Sequence, residues 1–253
     1  RNSENEEIAH LLRKKSKVMV AFGSCAHLGG IPGLANMYDI ESLCQRVFDT
    51  SPSLDDSRGT RPQTITQMPE GEIRIPELYD HVKHLSDIAD VDYFMPGCPP
   101  VVGQIAKVFE AALSGNLPAK GSVIGADVKS VCDVCPREKG EPGFRITEFK
   151  RPHEVQLDPN KCFLTQGVIC AGPVTRAGCG TPCLNGNMPC RGCYGPAEGV
   201  VDQGAKLASY IGALIDTDDP EKINEILDSI VDPAGTFYRF GLAHSIMTKL
   251  KYN

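Results

Sequence analysis

Eight of the eleven cysteines fall within the 62 residues from Cys132 to Cys193. Thiolates are soft ligands that select iron–sulfur clusters, zinc or copper(I). The cysteine total is odd and is diluted by ordinary globular sequence, whereas disulfide scaffolds are usually short secreted chains with a higher cysteine share. The spacing therefore predicts metal ligation in a reducing compartment rather than a disulfide framework.

The eight cysteines divide by their order into two sets of four, enough for two four-iron clusters. The first set is Cys132, Cys135, Cys162 and Cys170. The second set is Cys179, Cys183, Cys190 and Cys193, and it spans only fifteen residues. Structural zinc also takes four cysteines, so the spacing alone leaves zinc as an alternative.

Two further cysteines each follow a predicted strand. Apolar runs predict strands at 17–22 and 91–95, and Cys25 and Cys98 lie in the loops that come next. Because ligands in open α/β sheets bind outside the carboxyl ends of the strands, these two cysteines are expected to be neighbours. They predict a third, incomplete site on this chain.

The elements around these residues predict two domains. Residues 1–125 alternate strands with helices near 5–14, 39–48 and 76–88, which is typical of an α/β fold with a parallel sheet. Residues 126–253 are dominated first by Gly, Pro and Cys, and helices are predicted at 203–216, 220–231 and 234–250. Metal binding is expected to replace much of the hydrophobic core in the cysteine-rich part.

Composition excludes several classes of partner. The net charge is −6, there is no Lys- or Arg-rich tract and no Trp, so nothing indicates nucleic acid. No stretch approaches the roughly 18 apolar residues that a membrane span needs. The chain opens at Arg1 on a helical pattern that leads into an interior strand, from which we expect a preceding segment to be missing.

Other reactive side chains have simpler interpretations. Cys44 lies in a helical pattern without a partner spacing and is expected to be a small core residue. His27 could tune the Cys25 site, although a plain loop histidine is the simpler interpretation, and His81 and His84 are expected on a solvated helix face. No nucleophilic arrangement stands out, so no catalytic residue is assigned.

Three motifs carry a family resemblance. Gly23-Ser-Cys-Ala26, Pro96-Gly-Cys-Pro-Pro100 and Arg191-Gly-Cys-Tyr-Gly-Pro196, taken with the cysteine-rich segment, resemble the small subunit of nickel–iron hydrogenases over essentially the whole chain. The sequence is most similar to the soluble archaeal-type branch. That branch comprises the gamma subunits of deazaflavin-reducing or viologen-reducing enzymes and the delta subunit of sulfhydrogenases.

The resemblance implies a flavodoxin-like domain with a proximal cluster, followed by a domain with medial and distal clusters. Cys25 and Cys98 match two proximal ligands, while the family's opening Cys-x-x-Cys motif, which supplies the other two, is absent. The implied distal ligands are Cys132, Cys135, Cys162 and Cys170. The implied medial ligands are Cys179, Cys183, Cys190 and Cys193. Many relatives have Pro at the Cys183 position with a three-iron cluster, so Cys183 implies four irons.

The implied function is electron transfer within a cytoplasmic, heteromultimeric [NiFe] hydrogenase linked to methanogenesis. The implied cofactors are two complete [4Fe-4S] clusters and a third that this chain ligates in part. The implied partners are a large subunit carrying the Ni-Fe centre and an acceptor subunit that is a flavin or iron–sulfur protein. Two alternatives stay open: a zinc-stabilised scaffold, and the cluster-bearing subunit of a quinone-reducing respiratory complex, which carries only one cluster.

Overall fold

The computed structural model describes residues 1–55 and 58–248. Helix α1 (Ser3–Lys15) begins where the Asn2 side chain accepts a hydrogen bond from the Asn5 backbone, and its acidic first turn and basic last turn complement the helix dipole. Strand β1 (Val20–Phe22) follows. These two elements confirm the helix expected near 5–14 and the strand expected within 17–22.

Two short helices follow β1 directly. Helix α2 (Gly23–Leu28) ends at Gly29, whose φ of 88° gives a left-handed cap, and a 3-10 helix continues at Ile31–Met37. Helix α3 (Ile40–Cys44) is capped by Asp39 and runs into a π-helical turn at Gln45–Asp49. The helix expected near 39–48 is confirmed, and the stretch after β1 contains more helix than its Gly and Pro content indicates.

The middle of the first half contains the remaining strands and one long helix. Strands β2 (Ile65–Met68) and β3 (Gly71–Arg74) form an exposed antiparallel hairpin. Strand β4 (Tyr93–Met95) pairs in parallel with β1, so that Ala21 lies opposite Phe94, and Phe94 also forms a parallel bridge with Val123. Helix α4 (Val102–Leu113) comes shortly after β4. The loops that follow β1 and β4 therefore lie at the same edge of this parallel pair.

The second half is irregular and helical. Helix α5 (Pro182–Asn185) is a single turn within the cysteine-rich segment. Helices α6 (Gln203–Gly212), α7 (Pro220–Asp228) and α8 (Pro233–Phe237) follow, each with an aspartate at its N-cap. No helix in the described part of the chain is both long enough and apolar enough to cross a membrane.

The buried side chains form separate clusters in the two halves. Two small clusters draw their buried members from residues 19–124, around Ala21 and Met95. A larger cluster draws on residues 131–230, with Phe163, Leu207 and Ile211 at its centre and Cys135, Cys162 and Cys190 packed against it. The cysteine-rich segment thus has an apolar core, and the expectation that ligation largely replaces one is wrong.

Two predicted helices differ from the structure. Residues 76–88 contain only a 3-10 turn at Leu85–Asp87, because the backbone around Glu77 and Tyr79 bonds to the first residues of the chain instead: Ser3 N–H donates to Glu77 O over 3.0 Å, and Tyr79 N–H donates to Arg1 O over 3.1 Å.

The predicted helix 234–250 is also broken. Within the described residues it consists of α8, a 3-10 turn at Leu242–His244 and the start of a helix at 246. The interruption coincides with a tertiary contact, since the Ser245 hydroxyl donates to Asp202 Oδ2 over 2.7 Å. The stretch from 249 onward, including Leu250, lies outside the described residues.

Candidate functional site

The second cysteine set lines one cavity. A cavity of about 690 Å³ is bordered by Cys179, Cys183, Cys190 and Cys193. Cys98 borders the same cavity. Helix α5 presents Cys183, which is exposed, whereas the other three members of the set are half-buried. The four thiols with the shortest sequence span therefore face a common space, which we call the medial cavity.

Hydrogen bonds and burial set the chemistry of these sulfurs. The Thr181 backbone N–H donates to Cys179 Sγ over 3.4 Å, the type of bond that tunes a ligated thiolate. Burial, followed by the charges of Cys179, Cys183 and Cys98, raises the pKa of Cys193 to about 11. Burial also raises the pKa of the Cys190 thiol well above its ordinary value. These thiols need a cationic partner to ionise at neutral pH, and iron supplies one.

The first cysteine set converges around a 3-10 turn at Val131–Val134. A reciprocal capping box between Ser130 and Asp133 holds this turn, which presents Cys132 and ends at Cys135. The pKa of Cys132 is raised to about 12, chiefly by burial and then by the negative charges of Cys170, Cys162 and Cys135. All four sulfurs of this set are therefore electrostatic neighbours. Cys132 and Cys162 also border a cavity of about 430 Å³ together with Lys139 and Tyr210.

Gly172 leaves room for two of these sulfurs. A Cβ at this position would lie 3.1 Å from Cys132 Sγ and 3.5 Å from Cys170 Sγ. Any side chain here would therefore occupy the space between the two thiols. Glycine is favoured at position 172 because the two sulfurs lie so close, and not because the backbone there is left-handed.

Cys25 and Cys98 come together at the edge of the β1–β4 pair. Cys25 lies on α2 and Cys98 follows β4, and both are exposed. The two loops are joined by the Ser24 backbone N–H, which donates to Gly97 O over 2.7 Å. Burial, and then the neighbouring charge of Cys98, raise the pKa of the Cys25 thiol. The pairing expected from two loops after adjacent strands is thus present in the structure.

The second cysteine set adjoins both of the other groups. The Ser24 hydroxyl donates to Cys193 O, and Cys98 borders the medial cavity, so the Cys25/Cys98 pair adjoins the second set. The Cys190 backbone N–H donates to Cys170 Sγ over 3.3 Å, so the second set adjoins the first. The second set therefore has a contact with each of the other two groups.

Two buried polar contacts join distant segments and are not evident from the sequence. Arg137 donates to Leu184 O over 3.1 Å and to Asn187 Oδ1 over 2.7 Å beside the second set, and it bonds two carbonyls at 158–161 beside the first. Tyr194 donates to Gln104 Oε1 over 2.6 Å, linking the Arg191–Pro196 motif to α4. The only local signal is that Tyr194 follows Cys193 within that motif.

The remaining candidates from the sequence are Cys44, His84 and His27. Cys44 is half-buried on α3 and belongs to none of the apolar core clusters among the described residues, so its expected core position is wrong. His84 is buried against the His244 ring, with 5.0 Å between the centroids, so its expected place on a solvated helix face is wrong. His27 is buried 4.8 Å from the Phe94 ring, and burial lowers its pKa to about 3. It is a neutral packing residue at neutral pH.

The cysteine groups offer all-thiolate donor sets, which suit iron–sulfur clusters. Within residues 1–55 and 58–248, no three Cys, His, Asp or Glu side chains come close enough to hold one ion. A tetrahedral zinc site would bring its sulfurs to roughly 4 Å from each other, given Zn–S bonds of about 2.3 Å. All-thiolate sets suit iron–sulfur clusters as well as structural zinc, and the cavity of about 690 Å³ that the second set borders leaves room for a polynuclear cluster.

Comparison with known proteins assigns the family. Residues 1–112 match the family model described as NADH ubiquinone oxidoreductase, 20 Kd subunit. The iron-sulfur G subunit of the F420-non-reducing hydrogenase of Archaeoglobus profundus is 41% identical over 252 residues, covering 98% of this chain and 78% of the relative. The G subunit of the F420-non-reducing hydrogenase of Methanothermobacter marburgensis is 38% identical over 252 residues, with 97% and 76% covered.

A solved NAD+-reducing [NiFe]-hydrogenase, in its H2-reduced state, is 33% identical with a TM-score of 0.39, covering 46% of this chain and 61% of that one. The extent of the G-subunit matches places the chain among hydrogenase small subunits. It belongs to the family of F420-non-reducing hydrogenase G subunits and is accordingly part of an oxidoreductase complex.

Proposed function

We propose that the chain relays electrons from a nickel–iron large subunit to an acceptor subunit of the flavin or iron–sulfur class. The observation that supports this most is that the second cysteine set adjoins both of the other cysteine groups. Cys25 and Cys98 adjoin the medial cavity, and the cavity adjoins Cys170 through Cys190. A relay requires redox centres in such an order, each close to the next.

We assign a proximal site to Cys25 and Cys98, to which this chain contributes two ligands. The medial site is assigned to Cys179, Cys183, Cys190 and Cys193. The distal site is assigned to Cys132, Cys135, Cys162 and Cys170. When bound, [4Fe-4S] clusters supply one-electron redox chemistry at these sites. The chain's own residues position the thiols and donate N–H groups to sulfur.

We also propose a division into a flavodoxin-like domain at 1–125 and an iron–sulfur domain at 126–253. The parallel β1–β4 pair and the bridge at Val123 support the first. The separation of the core clusters into residues 19–124 and 131–230 supports the boundary. Limited proteolysis that cleaves first near 125 would agree with it, and first cleavage inside either core would contradict it.

Metal analysis of the purified complex tests the proposal. We expect iron and acid-labile sulfide in near-equal amounts, at no fewer than about eight of each per chain if only the medial and distal sites are filled. Zinc without labile sulfide would instead establish the scaffold alternative. Roughly four irons per chain would favour the single-cluster respiratory alternative, whose family model stops at residue 112, before the cysteine-rich segment.

The partners and the location need separate tests. Affinity purification of the tagged chain should recover a large subunit that contains nickel, together with an acceptor subunit. Cell fractionation should place the complex in the cytoplasm, as the family resemblance predicts. Recovery of the chain alone, or with membranes, would contradict these assignments.

A further inference from the structure

A small basic pocket lies beside the medial cavity. It has a volume of about 230 Å³ and is distinct from the cavities that the cysteines border. Its basic side chains come from three separate segments of the chain: Lys150, Arg151, His153, Arg191 and Arg239, of which the histidine is charged only when protonated. Such convergence of positive charge from distant segments is typical of a site for an anion.

The pocket carries an excess of positive charge. Lys150 pairs with Glu148 over 3.0 Å, and Arg151 and His153 lie 3.8 and 3.9 Å from Glu154. The two remaining cations are Arg191 and Arg239. Among the residues that the structure describes, neither of them has a carboxylate within ion-pair distance.

Of these two cations, Arg191 is half-buried. The Nε of Arg239 donates to Gly235 O over 3.0 Å, which leaves its two terminal nitrogens available. The acidic group on the pocket wall is Asp232, whose Oδ1 already accepts from the Gly235 N–H. A partly desolvated guanidinium beside a second one is unfavourable unless an anion joins them.

Both arginines also border the medial cavity. Arg191 follows Cys190 directly and precedes Cys193 by two positions. Arg191 and Arg239 therefore line both the pocket and the medial cavity, which makes the two spaces neighbours. Any charge that enters the pocket acts on the medial site across these two side chains.

We propose that this pocket binds a phosphate-sized oxyanion, and that its occupancy lowers the midpoint potential of the medial cluster. The proposal rests on the medial cluster of the proposed function. The volume is below the roughly 300–1,000 Å³ of pockets for organic ligands, so the recognised group is a small oxyanion rather than a whole nucleotide. Paired guanidinium groups suit such an oxyanion because each offers two parallel N–H donors.

The direction of the effect follows from charge. One-electron reduction adds a negative charge to the cluster, so a nearby anion binds the reduced form more weakly than the oxidised form. Two unit charges on the order of 10 Å apart, at an effective dielectric constant of about 20, interact strongly enough to change the equilibrium between the oxidised and the reduced cluster roughly tenfold. By reciprocity, a tenfold preference for the oxidised form lowers a one-electron potential by about 59 mV at saturation.

The experiment uses the purified hydrogenase complex and inorganic phosphate. Equilibrium dialysis with radiolabelled phosphate measures binding. A redox titration followed by EPR measures the medial potential with phosphate and with chloride at equal ionic strength. We expect saturable binding and a lowered potential in phosphate. Arg239→Gln should weaken phosphate binding at least tenfold and abolish the shift, whereas the exposed Arg145→Gln, which removes the same charge outside the pocket, should change neither.

The outcomes separate this proposal from the proposed function. Clusters present without phosphate binding, or binding without a change in potential, would overturn the inference and leave the relay intact. A complex without labile sulfide would overturn the relay, and dialysis would still decide whether the pocket binds phosphate. If Arg239→Gln does not fold, Lys150→Gln serves in its place, with a smaller loss of affinity expected. ADP in place of phosphate should not compete, and competition by ADP would show that the group belongs to a larger ligand.

Discussion

The backbone N–H of Cys190 donates a hydrogen bond to the sulfur of Cys170 over 3.3 Å. Cys190 belongs to the medial set and Cys170 to the distal set, so a ligand-bearing loop of one site stabilises a sulfur of the other. Burial raises the pKa of Cys170 to about 11, while the N–H groups of Gly172 and Cys190 oppose that rise. The geometry of the two proposed clusters is therefore interdependent.

The narrow space at Gly172 gives a test of the distal set. Gly172→Ala would place a methyl group 3.1 Å from Cys132 Sγ and 3.5 Å from Cys170 Sγ. We expect iron and sulfide to fall by up to about one cluster per chain, with the distal EPR signal lost first, because Cys132 Sγ must shift by a few tenths of an ångström while Cys170 Sγ stays in ordinary contact. In Gly103→Ala the new methyl group meets nothing within 4 Å, and full cluster content is expected. Equal cluster content in both variants would contradict the distal assignment.

Arg137 is expected to position both cysteine sets. It bonds carbonyls at 158 and 161, Leu184 O and Asn187 Oδ1, and it lies 3.9 Å from the centroid of the Phe163 ring. Arg137→Met removes the guanidinium that joins these acceptors, although Gln166 still donates to the carbonyls at 158 and 161, and the Asn187 N–H still donates to Leu184 O. The hydrogen bond to Asn187 Oδ1 and the link between the segments are lost, so we expect a loss of about 2 kcal/mol or more in the free energy of unfolding, measured with urea. Arg145→Met removes an exposed arginine from the same half of the chain and should cost no more than about 0.5 kcal/mol.

The same buried arginine shows where sequence reasoning stops. The two cysteine sets and the Cys25/Cys98 pair could be anticipated because ligand spacing and strand–loop patterns are local features. The contacts of Arg137 cannot be, since its partners lie 21 to 50 residues away and nothing in their spacing is periodic. The missing helix at 76–88 has the same origin: its backbone bonds to residues 1–3, and this long-range pairing overrides local helix propensity.

Acid stability should depend on Asp92, which fixes the start of the β1–β4 pair. Its wholly buried carboxylate accepts from Arg13 over 2.7 Å and from the Met19 N–H over 2.8 Å, and it pairs with Lys120. Lys120 and then Arg13 hold the pKa of Asp92 well below its usual range. A depressed pKa stabilises the fold above the unfolded-state value of about 3.9, and that stability is lost as the pH falls below it.

Asp92→Asn should therefore lower the free energy of unfolding by about 2 kcal/mol at pH 7. The difference in the free energy of unfolding between the wild type and Asp92→Asn should stay constant from about pH 5 to pH 8. This gap should narrow below about pH 4, where the unfolded wild-type chain takes up the proton. Urea titrations at several pH values measure this gap. A gap that widens in acid would mean that the Asp92 pKa is raised rather than lowered.

Cys183 determines the type of the medial cluster in the proposed relay. It is the exposed member of its set and lies in the first turn of α5, where a backbone N–H has no intrahelical partner, so proline is tolerated. Cys183→Pro should leave three thiols on the medial cavity, release one iron and produce the EPR signal of an oxidised three-iron cluster, with a higher potential than the wild type. Cys44→Ser alters a cysteine apart from the three groups and should preserve the wild-type spectrum. An unchanged spectrum in Cys183→Pro would show that Cys183 is not a ligand.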